Sequence, residues 1–362
     1  MLRSLRWMSG LVLLGGLLVA CNTSSSTGSS TDMPTALEVI QQDARLSTLN
    51  GLLTPDIRAL LADESLQFTF FAPANDAWSA ANFAQLNVGR PTGQALENVF
   101  YYHFAPGEYS IASLKDEAAE FEYAIIDTAL EDIFFAYETD DGTFVVDPGL
   151  YIDNELFSDS KFFDIKFVAE DIPASNGIVH IIERVLLTPT ISEYAYWSFA
   201  TAEEEQGDSY YRELDEVGLF EDLLADGPFT AFLPEYVGVF KQLTKAQVDY
   251  LFEPANADLI SKVIDNHIID DVQLIGSNIV DDIQLIGSGV TEGLEVTTRA
   301  GETYRFLLEY DPESDLDYWT FGGIDIYYDE FGLYSEVWRN GSTFFIDGML
   351  LPDDIASILD AL

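Results

Sequence analysis

Three histidines, one cysteine and an excess of carboxylates are the residues of this chain whose types could support chemistry. His103, His180 and His267 are widely spaced, so they do not readily supply the converging nitrogen ligands of a zinc site. Cys21 is the only cysteine, which excludes an intrachain disulfide. No phosphate-binding loop, dinucleotide-binding glycine motif or serine-nucleophile elbow occurs in the sequence. A pair of carboxylates, the arrangement used for glycoside hydrolysis, is the catalytic class that these residue types leave open.

The segment EYDPESDLD has a carboxylate at every other position. These residues are Glu309, Asp311, Glu313, Asp315 and Asp317. Clustered oxygen ligands suit Ca2+, and an extended strand would place all of these side chains on one face. The pattern does not match an EF-hand loop, because Leu316 stands at the turn glycine and Gly322 at the closing glutamate. We expect a solvated loop around Pro312, with Ca2+ at Asp311, Glu313, Asp315 and Asp317 as the alternative and no other cofactor.

The charge balance of the chain is strongly acidic. Asp and Glu number 63 against 16 Lys and Arg, which gives a formal net charge of -47. Such a surface repels phosphate backbones and anionic lipid headgroups, so nucleic acid is excluded as a partner. It attracts cations and basic partners, and it is also typical of a solvated surface in a saline environment. With 362 residues and 48% hydrophobic composition, the chain has enough apolar side chains for two domains of ordinary size.

The N-terminal segment has the layout of a secretory signal peptide. Arg3 and Arg6 precede the apolar run LVLLGGLLVA, which is short for a membrane-spanning helix and ends at Cys21. The residues LVAC resemble a bacterial lipobox, in which the cysteine is acylated and becomes the new N-terminus. We therefore expect a signal peptide at 1–20, lipidation of Cys21 and a Ser/Thr/Gly-rich tether at 21–34. The expected location is the cell envelope, with the outer membrane or cell surface favoured.

Helical segments open the part of the chain that is predicted to fold. Apolar residues recur at helical spacing from Thr35, and Glu38 three positions later predicts a capping box. Pro55 stands where a second helix can begin, because proline is favoured in the first turn of a helix.

The stretch FTFFAPANDAW predicts a strand that leads directly into a helix. The apolar run from Phe68 has the composition of a buried strand, and Pro73 ends it because proline cannot donate a hydrogen bond to the ladder. Asn75 or Asp76 is then expected to cap the helix through its side-chain oxygen.

The second half of the sequence repeats the order of elements in the first half. FTAFLP parallels FTFFAP, and LISKVIDNHIIDD parallels LENVFYYHFAPGE, which places His267 where His103 stands. The ends correspond as well, since NGSTFFIDGMLLP parallels NGIVHIIERVLLTP, with Phe345 expected at the position of His180. We infer two copies of one domain of about 150 residues. We place them at 35–190 and 191–362 and name them the first repeat and the second repeat.

Three motifs of the first repeat resemble those of fasciclin-like domains. They are FTFFAPANDAW, the Tyr102-His103 pair and NGIVHIIERVLLTP, and they occur in the order that is typical of the family. The second repeat resembles the same domain in divergent form, since Asn266 replaces the tyrosine before His267. The resemblance implies an α+β protein of two tandem fasciclin-like domains, each a β-sandwich or wedge of strands with a layer of α-helices.

The resemblance also suggests where a partner would bind. In adhesive members of the family, residues near the strand-to-helix joint and near the Tyr-His pair are implicated in receptor contact. The positions of this chain that match are Asn75, Asp76, Tyr102 and His103. We favour a structural role for these residues and keep direct contact as the alternative.

The function that the resemblance implies is non-catalytic adhesion, or interaction with a matrix or surface, by a lipid-anchored envelope protein. Its partner would be a cell-surface or matrix protein or a glycan. Two alternatives stay open, a scaffolding subunit of an envelope assembly and, less favoured, an envelope hydrolase that uses a carboxylate pair. The sequence carries no indication of the oligomeric state.

Overall fold

The computed structural model describes most of the chain after residue 32. The described residues are 33–85, 89–130, 133–148, 164–188, 190–191, 227–234, 239, 241–275, 279–280, 283–284, 288–312, 316–326, 328–329, 332–333 and 335–362. The stretch from Met33 to Leu362 forms one compact unit. The predicted signal peptide at 1–20, the predicted lipidation site Cys21 and nearly all of the predicted tether lie outside the described residues.

Short helices and 3-10 turns make up the helical layer of the first repeat. The helices are α1 (Ala36–Gln42), α2 (Ser47–Leu52), α3 (Pro55–Ala62), α4 (Ala80–Gln85), α5 (Gly93–Tyr102) and α6 (Ile111–Phe121), with 3-10 turns at Ala44–Leu46 and Asn75–Trp78. The predicted capping box is confirmed, because the Thr35 hydroxyl accepts from the Glu38 amide and the Glu38 carboxylate accepts from the Thr35 amide. Pro55 is the first residue of α3, as predicted.

The strands of the first repeat form a seven-stranded sheet. They are β1 (Phe68–Pro73), β2 (Phe104–Pro106), β3 (Ala124–Asp127), β4 (Ile133–Glu138), β5 (Phe144–Asp147), β6 (Ile165–Ala174) and β7 (Gly177–Ile182). Their spatial order is β2-β1-β7-β6-β5-β4-β3. Only the β1–β7 pairing within this sheet is parallel. The strand predicted from FTFFAP is confirmed, and every residue of it is buried.

The described part of the second repeat begins at residue 227, apart from Ile191. Its helices are α7 (Lys245–Leu251), α8 (Ala257–Asp265) and α9 (Asp353–Leu359). Its strands are β8 (Phe229–Pro234), β9 (Ile268–Asp270), β10 (Leu274–Ile275), β11 (Ile279–Val280), β12 (Ile283–Gln284), β13 (Ser288–Gly289), β14 (Glu295–Thr297), β15 (Thr303–Asp311), β16 (Leu316–Phe321), β17 (Ile324–Ile326), β18 (Tyr328–Asp329), β19 (Gly332–Leu333), β20 (Glu336–Trp338) and β21 (Gly341–Ile346). The main sheet has the order β14-β15-β16-β17-β21-β8-β9, and β20 pairs with β21.

The two main sheets have the same topology. The order β2-β1-β7-β6-β5-β4-β3 corresponds strand by strand to β9-β8-β21-β17-β16-β15-β14. The parallel pair is also equivalent, because Phe68 aligns with Gly177 in the first repeat and Phe229 aligns with Gly341 in the second. Helices and strands are therefore mixed as expected for the α+β class, and the predicted internal repeat is confirmed.

An asparagine before the last strand ties the start of each repeat to its sheet. The Asn176 side-chain oxygen accepts a hydrogen bond of 2.9 Å from the Ala36 amide. The Asn340 side-chain oxygen accepts one of the same length from the Ile191 amide. Both asparagines are buried, so each bond satisfies a backbone donor that water does not reach.

The strand register corrects one detail of the predicted repeat. Phe71 aligns with His180 across β1 and β7, and its counterpart Phe232 aligns with Phe344 across β8 and β21. The residue at the position of His180 is therefore Phe344, and the prediction of Phe345 was wrong by one. A shift of one residue in a strand moves a side chain to the opposite face, so the choice between two adjacent phenylalanines matters.

Aromatic side chains fill the cores of both repeats. In the first repeat, the rings of Phe70 and Phe104 lie 4.7 Å apart, and Phe71 meets Phe134 edge-on at 4.9 Å. In the second repeat, Phe232 stacks on Phe321 at 4.2 Å. All six side chains are completely buried, and such aromatic pairs add about 0.5–1.5 kcal/mol each beyond their burial.

A buried amide pair joins the two repeats. Asn98 on α5 donates to the Gln273 side-chain oxygen at 2.8 Å and to the Trp338 carbonyl at 2.7 Å. The Gln273 amide donates back to Asn98 at 3.3 Å. Arg339 donates to the Thr188 carbonyl at 3.1 Å. These contacts connect residues of both repeats within one compact unit, while the exact domain boundaries stay a prediction.

Candidate functional site

His103 is a buried structural tie at the end of α5. Its Nε2 accepts a hydrogen bond of 3.0 Å from the Leu186 amide, which requires the proton to be on Nδ1. Nδ1 then donates to the Val99 carbonyl at 2.7 Å. Burial lowers the pKa of His103 to about 4, so the ring is neutral near pH 7 and both of its nitrogens are used.

His267 has the same geometry in the second repeat. The comparison of the two repeats predicted this histidine at the position of His103. Its Nδ1 donates to the Val263 carbonyl at 2.7 Å, and its Nε2 accepts from the Leu350 amide at 3.0 Å. Burial lowers its pKa to about 4 as well. Equal distances at equivalent positions indicate that this tie belongs to the fold of the domain.

His180 on β7 is used differently and has no counterpart in the second repeat. Its Nδ1 accepts from the Asp171 amide at 3.2 Å, and Nε2 donates to the Tyr109 carbonyl at 2.8 Å. Burial lowers the pKa of His180, which favours the neutral ring. The Asp171 side chain also caps α6 by accepting from the Ile111 amide at 3.0 Å. His180 therefore holds an irregular part of β6 against the start of α6.

Tyr102 is one of the residues that we considered for partner contact, and it is buried. Its hydroxyl lies 2.9 Å from the Ile133 carbonyl oxygen and 3.0 Å from that of Pro148. It therefore ties α5 to strand β4 and to the residue that follows β5. Because neither Tyr102 nor His103 reaches the surface, a direct contact role for these two side chains is not supported by the structure.

Asn75 and Asp76 lie at the strand-to-helix joint, where they were predicted. The prediction that one of them caps its own helix was wrong, because the turn Asn75–Trp78 begins after Ala74 without a side-chain cap. Asn75 instead accepts from the Thr48 amide at 2.8 Å and donates to the Ala44 carbonyl at 2.8 Å. It thereby fixes the start of α2. Asp76 is exposed, so it is the predicted contact residue whose side chain is most available to a partner.

Strands β15 and β16 pair antiparallel on either side of the acidic segment around Pro312. Tyr310 aligns with Asp317, so the carboxylates do not continue along one strand. Pro312 itself is exposed, and the solvated loop around it stays a prediction. Glu313 and Asp315 lie outside the described residues, and the Ca2+ alternative at Asp311, Glu313, Asp315 and Asp317 stays a prediction. Within the described part of the chain, no group of three or more His, Cys, Asp or Glu side chains is arranged to hold a metal.

In the part of the chain that the structure describes, two carboxyl groups have a raised pKa, which is a property of many catalytic acids. Partial burial is the main cause at Glu97 and at Asp325, and the neighbouring carboxylates of Asp56 and Asp347 respectively raise the pKa further. Burial and like-charge repulsion account for both shifts. A raised pKa at Glu97 or at Asp325 is therefore not evidence for catalysis, and the hydrolase alternative stays a prediction.

Comparisons with known proteins found similarity to one domain family. Residues 44–188 match the fasciclin domain family. Human periostin is 27% identical over 150 residues, which is 41% of this chain and 15% of periostin, so the match spans a small part of that protein. The solved structure of a FAS1 domain pair from the insect cell adhesion molecule fasciclin I is similar at 17% identity, over 89% of this chain and 98% of that chain, with a TM-score of 0.39.

No helix in the described ranges combines the length and the apolar character needed to cross a membrane. The three motifs of the first repeat, namely the joint after β1, the Tyr-His pair and the last strand, all fall within the matched residues. Residues 44–188 therefore resemble the fasciclin domain family, and this match covers less than half of the chain.

Proposed function

We propose that this chain is a non-catalytic binding protein of the cell envelope that mediates adhesion or interaction with a surface or matrix. The observation that carries the proposal is the fasciclin domain at 44–188, because domains of this family are associated with cell adhesion and with surface or matrix interaction. The partner would be a cell-surface or matrix protein or a glycan. The net charge of -47 argues against nucleic acid.

The environment of the histidines supports a role in binding rather than catalysis. His103, His180 and His267 use both ring nitrogens to hold backbone groups. Burial favours the neutral form of each ring, so none of them is poised as a surface acid or base near pH 7. The exposed groups, among them Asp76, are therefore the ones that a partner would meet.

We further propose that a lipid on Cys21 attaches the protein to the membrane. The basis is the position of Cys21 at the end of the apolar run, followed by a Ser/Thr/Gly-rich stretch that suits a flexible tether. Replacing Cys21 with serine removes the thiol that would be acylated. We expect Cys21→Ser to move the protein from the membrane fraction to the soluble fraction. Unchanged membrane association of this variant would contradict the anchor.

The binding function is tested with residues 22–362 immobilised and exposed to the solubilised envelope and surface proteins of the native organism, with Ca2+ and then with chelator. We expect a specific surface partner to be retained after washing, and an array of surface glycans covers the other partner class. An Asp76→Lys variant reverses one exposed charge at the joint and should weaken capture if the joint is used. Equal capture with and without chelator would argue against a Ca2+-dependent contact.

Two other results would redirect the assignment. Stoichiometric co-purification with one envelope complex would favour the scaffolding role instead of adhesion. Failure to retain any protein or glycan in either condition would contradict the proposed function.

A further inference from the structure

An exposed apolar surface lies at one edge of the seven-stranded sheet. Phe121 is 60% exposed, and Tyr123 and Ile125 are each 41% exposed. The Tyr123 ring meets Phe135 of β4 nearly perpendicularly, with centroids 5.3 Å apart. We name Phe121, Tyr123, Ile125 and Phe135 the aromatic edge. Phe121, Tyr123 and Ile125 are thus exposed within five consecutive positions, and grouped apolar side chains on a surface are typical of a binding site.

The aromatic edge follows the outermost strand of the sheet. Among the residues that the structure describes, strand β3 pairs only with β4, and Ala124 and Ile126 are buried while Ile125 and Asp127 are exposed. An edge strand presents backbone groups that can pair with another strand. Here the Ile125 amide donates to the Glu117 carboxylate of α6 at 3.2 Å. The Glu117 side chain thus accepts the hydrogen bond of a backbone amide that faces away from β4.

The chain segment that contains the aromatic edge is strongly acidic. From Asp116 to Ser160 the sequence contains no lysine or arginine, and the exposed acids next to the edge include Glu120, Glu122 and Asp127. Anionic lipid surfaces and a second copy of this acidic chain would both be repelled. Charge complementarity therefore points to a basic partner.

The outermost strand of the second repeat is polar, although Leu308 and Tyr310 of the neighbouring strand β15 are exposed. This outermost strand, β14, carries Glu295, Val296 and Thr297, and Glu295 forms an ion pair across the strands with Arg305. A polar, charged edge is the usual protection of a sheet against further pairing. Because the same fold forms with a polar edge, the aromatic edge is not required by the topology of the domain.

We propose that the aromatic edge binds an extended segment of a partner protein in which lysine or arginine alternates with apolar residues. The segment adds to β3 as a further strand, with its apolar residues on Tyr123 and Ile125 and its basic residues facing Glu117 on the other face. Glu117 releases the Ile125 amide to the incoming strand and pairs with a basic side chain. The inference rests on the proposed function and names the surface and the partner class that would serve it.

The test uses residues 22–362 and a short fluorescent peptide of alternating lysine and valine, with a glutamate-valine peptide for comparison. Binding is followed by fluorescence anisotropy, and the edge is located by hydrogen exchange. We expect the lysine peptide to bind and to slow exchange at 123–127, and the glutamate peptide not to bind. Tyr123→Ser with Ile125→Ser should weaken binding about tenfold or more, since each side chain contributes apolar burial of the order of 1 kcal/mol.

Matched variants separate this site from general stickiness. Leu308→Ser with Tyr310→Ser removes side chains that are 40% and 56% exposed in the second repeat, and it should leave binding unchanged. Glu120→Gln with Glu122→Gln keeps the apolar surface and should weaken binding at low salt by removing two charges. This second pair also tests the site if the Tyr123 and Ile125 variant fails to fold.

Equal binding of the two peptides, or equal binding by the parent and the Tyr123→Ser, Ile125→Ser variant, would overturn the proposal. A surface partner that is captured equally well by the parent and by this variant would leave the adhesion function standing and reject the aromatic edge. Conversely, peptide binding that the variant loses, together with no captured surface partner, would support the edge and reject adhesion.

Discussion

The buried histidines show how a residue can mark a functional motif and still have a structural role. His103 and His267 each bridge a carbonyl four residues earlier and an amide 83 residues later. A neutral imidazole can donate at one nitrogen and accept at the other, so it satisfies two buried backbone groups at once. That requirement explains why the ring is histidine in both repeats without invoking chemistry at the surface.

Acid should weaken the fold through these two rings. The pKa of each falls from its usual 6.5 to about 4 in the folded chain, so the unfolded chain binds more protons below about pH 6.5. The stabilisation is complete above pH 6.5 and is lost as the pH falls towards 4. When the pH is lowered from 7 to 5.5, the unfolding free energy should fall by about 1 kcal/mol for each of these histidines. Urea titrations across this range measure the slope.

Single variants make the pH prediction specific. His103→Gln and His267→Gln should each reduce stability at pH 7, because a buried backbone group loses its partner. Each should also reduce the pH slope by about 1 kcal/mol over the same range, and the double variant by about twice that. If the slope is the same in the parent and in the double variant, the acid sensitivity has another origin.

At the scale of elements, the strongly patterned segments were predictable from sequence. The strand beginning at Phe68, the helix capped at Thr35 and the start of α3 at Pro55 follow from local signals that act within a few residues. Asn75 shows where such reasoning ends. Its side chain bonds to Thr48 and Ala44, and nothing near position 75 specifies those distant partners.

The functional surfaces were harder to predict than the elements. Tyr102 and His103 were considered for contact because of their motif, but burial depends on the packing of helices and strands that are distant in sequence. The aromatic edge was missed for a related reason. The alternation of apolar residues around Ile125 resembles an ordinary strand, and only the sheet order reveals that this strand is at the edge.

The parallel strand pair of each repeat should depend on glycine. A Cβ added at Gly177 would lie 1.8 Å from the Phe68 carbonyl oxygen, and one at Gly341 would lie 2.1 Å from that of Phe229. Because backbone must move to relieve either clash, Gly177→Ala and Gly341→Ala should each lower the unfolding free energy by about 3 kcal/mol or more. Denaturant titration of each variant measures the loss.

Gly51 in α2 provides the matched control. An added Cβ there meets nothing within 4 Å, and alanine is favoured over glycine in a helix. Gly51→Ala should therefore raise stability by about 0.5–1 kcal/mol. An unchanged denaturation midpoint in Gly177→Ala or Gly341→Ala would show that the strands can separate without the expected strain.

At the scale of the whole molecule, the repeats share buried contacts. Asn98 and Gln273 are almost completely buried and exchange hydrogen bonds between the repeats. Val337 of the second repeat also packs in the core of the first. Hydrogen bonds between buried polar groups across such a contact favour joint folding, because separation of the repeats breaks them.

We therefore expect the described unit to unfold in one calorimetric transition, and Asn98→Ala to divide it into two. The substitution removes the hydrogen bonds that Asn98 donates to the Gln273 side chain and to the Trp338 carbonyl, at a cost of about 0.5–1.5 kcal/mol for each bond lost. Asn256→Ala is the matched control, since it removes an amide that donates to the Tyr250 carbonyl within the second repeat. It should lower the transition temperature without dividing the transition. Two transitions in the parent would mean that the contact does not couple the repeats, whereas a single transition that survives Asn98→Ala would assign the coupling to the apolar packing of Val337.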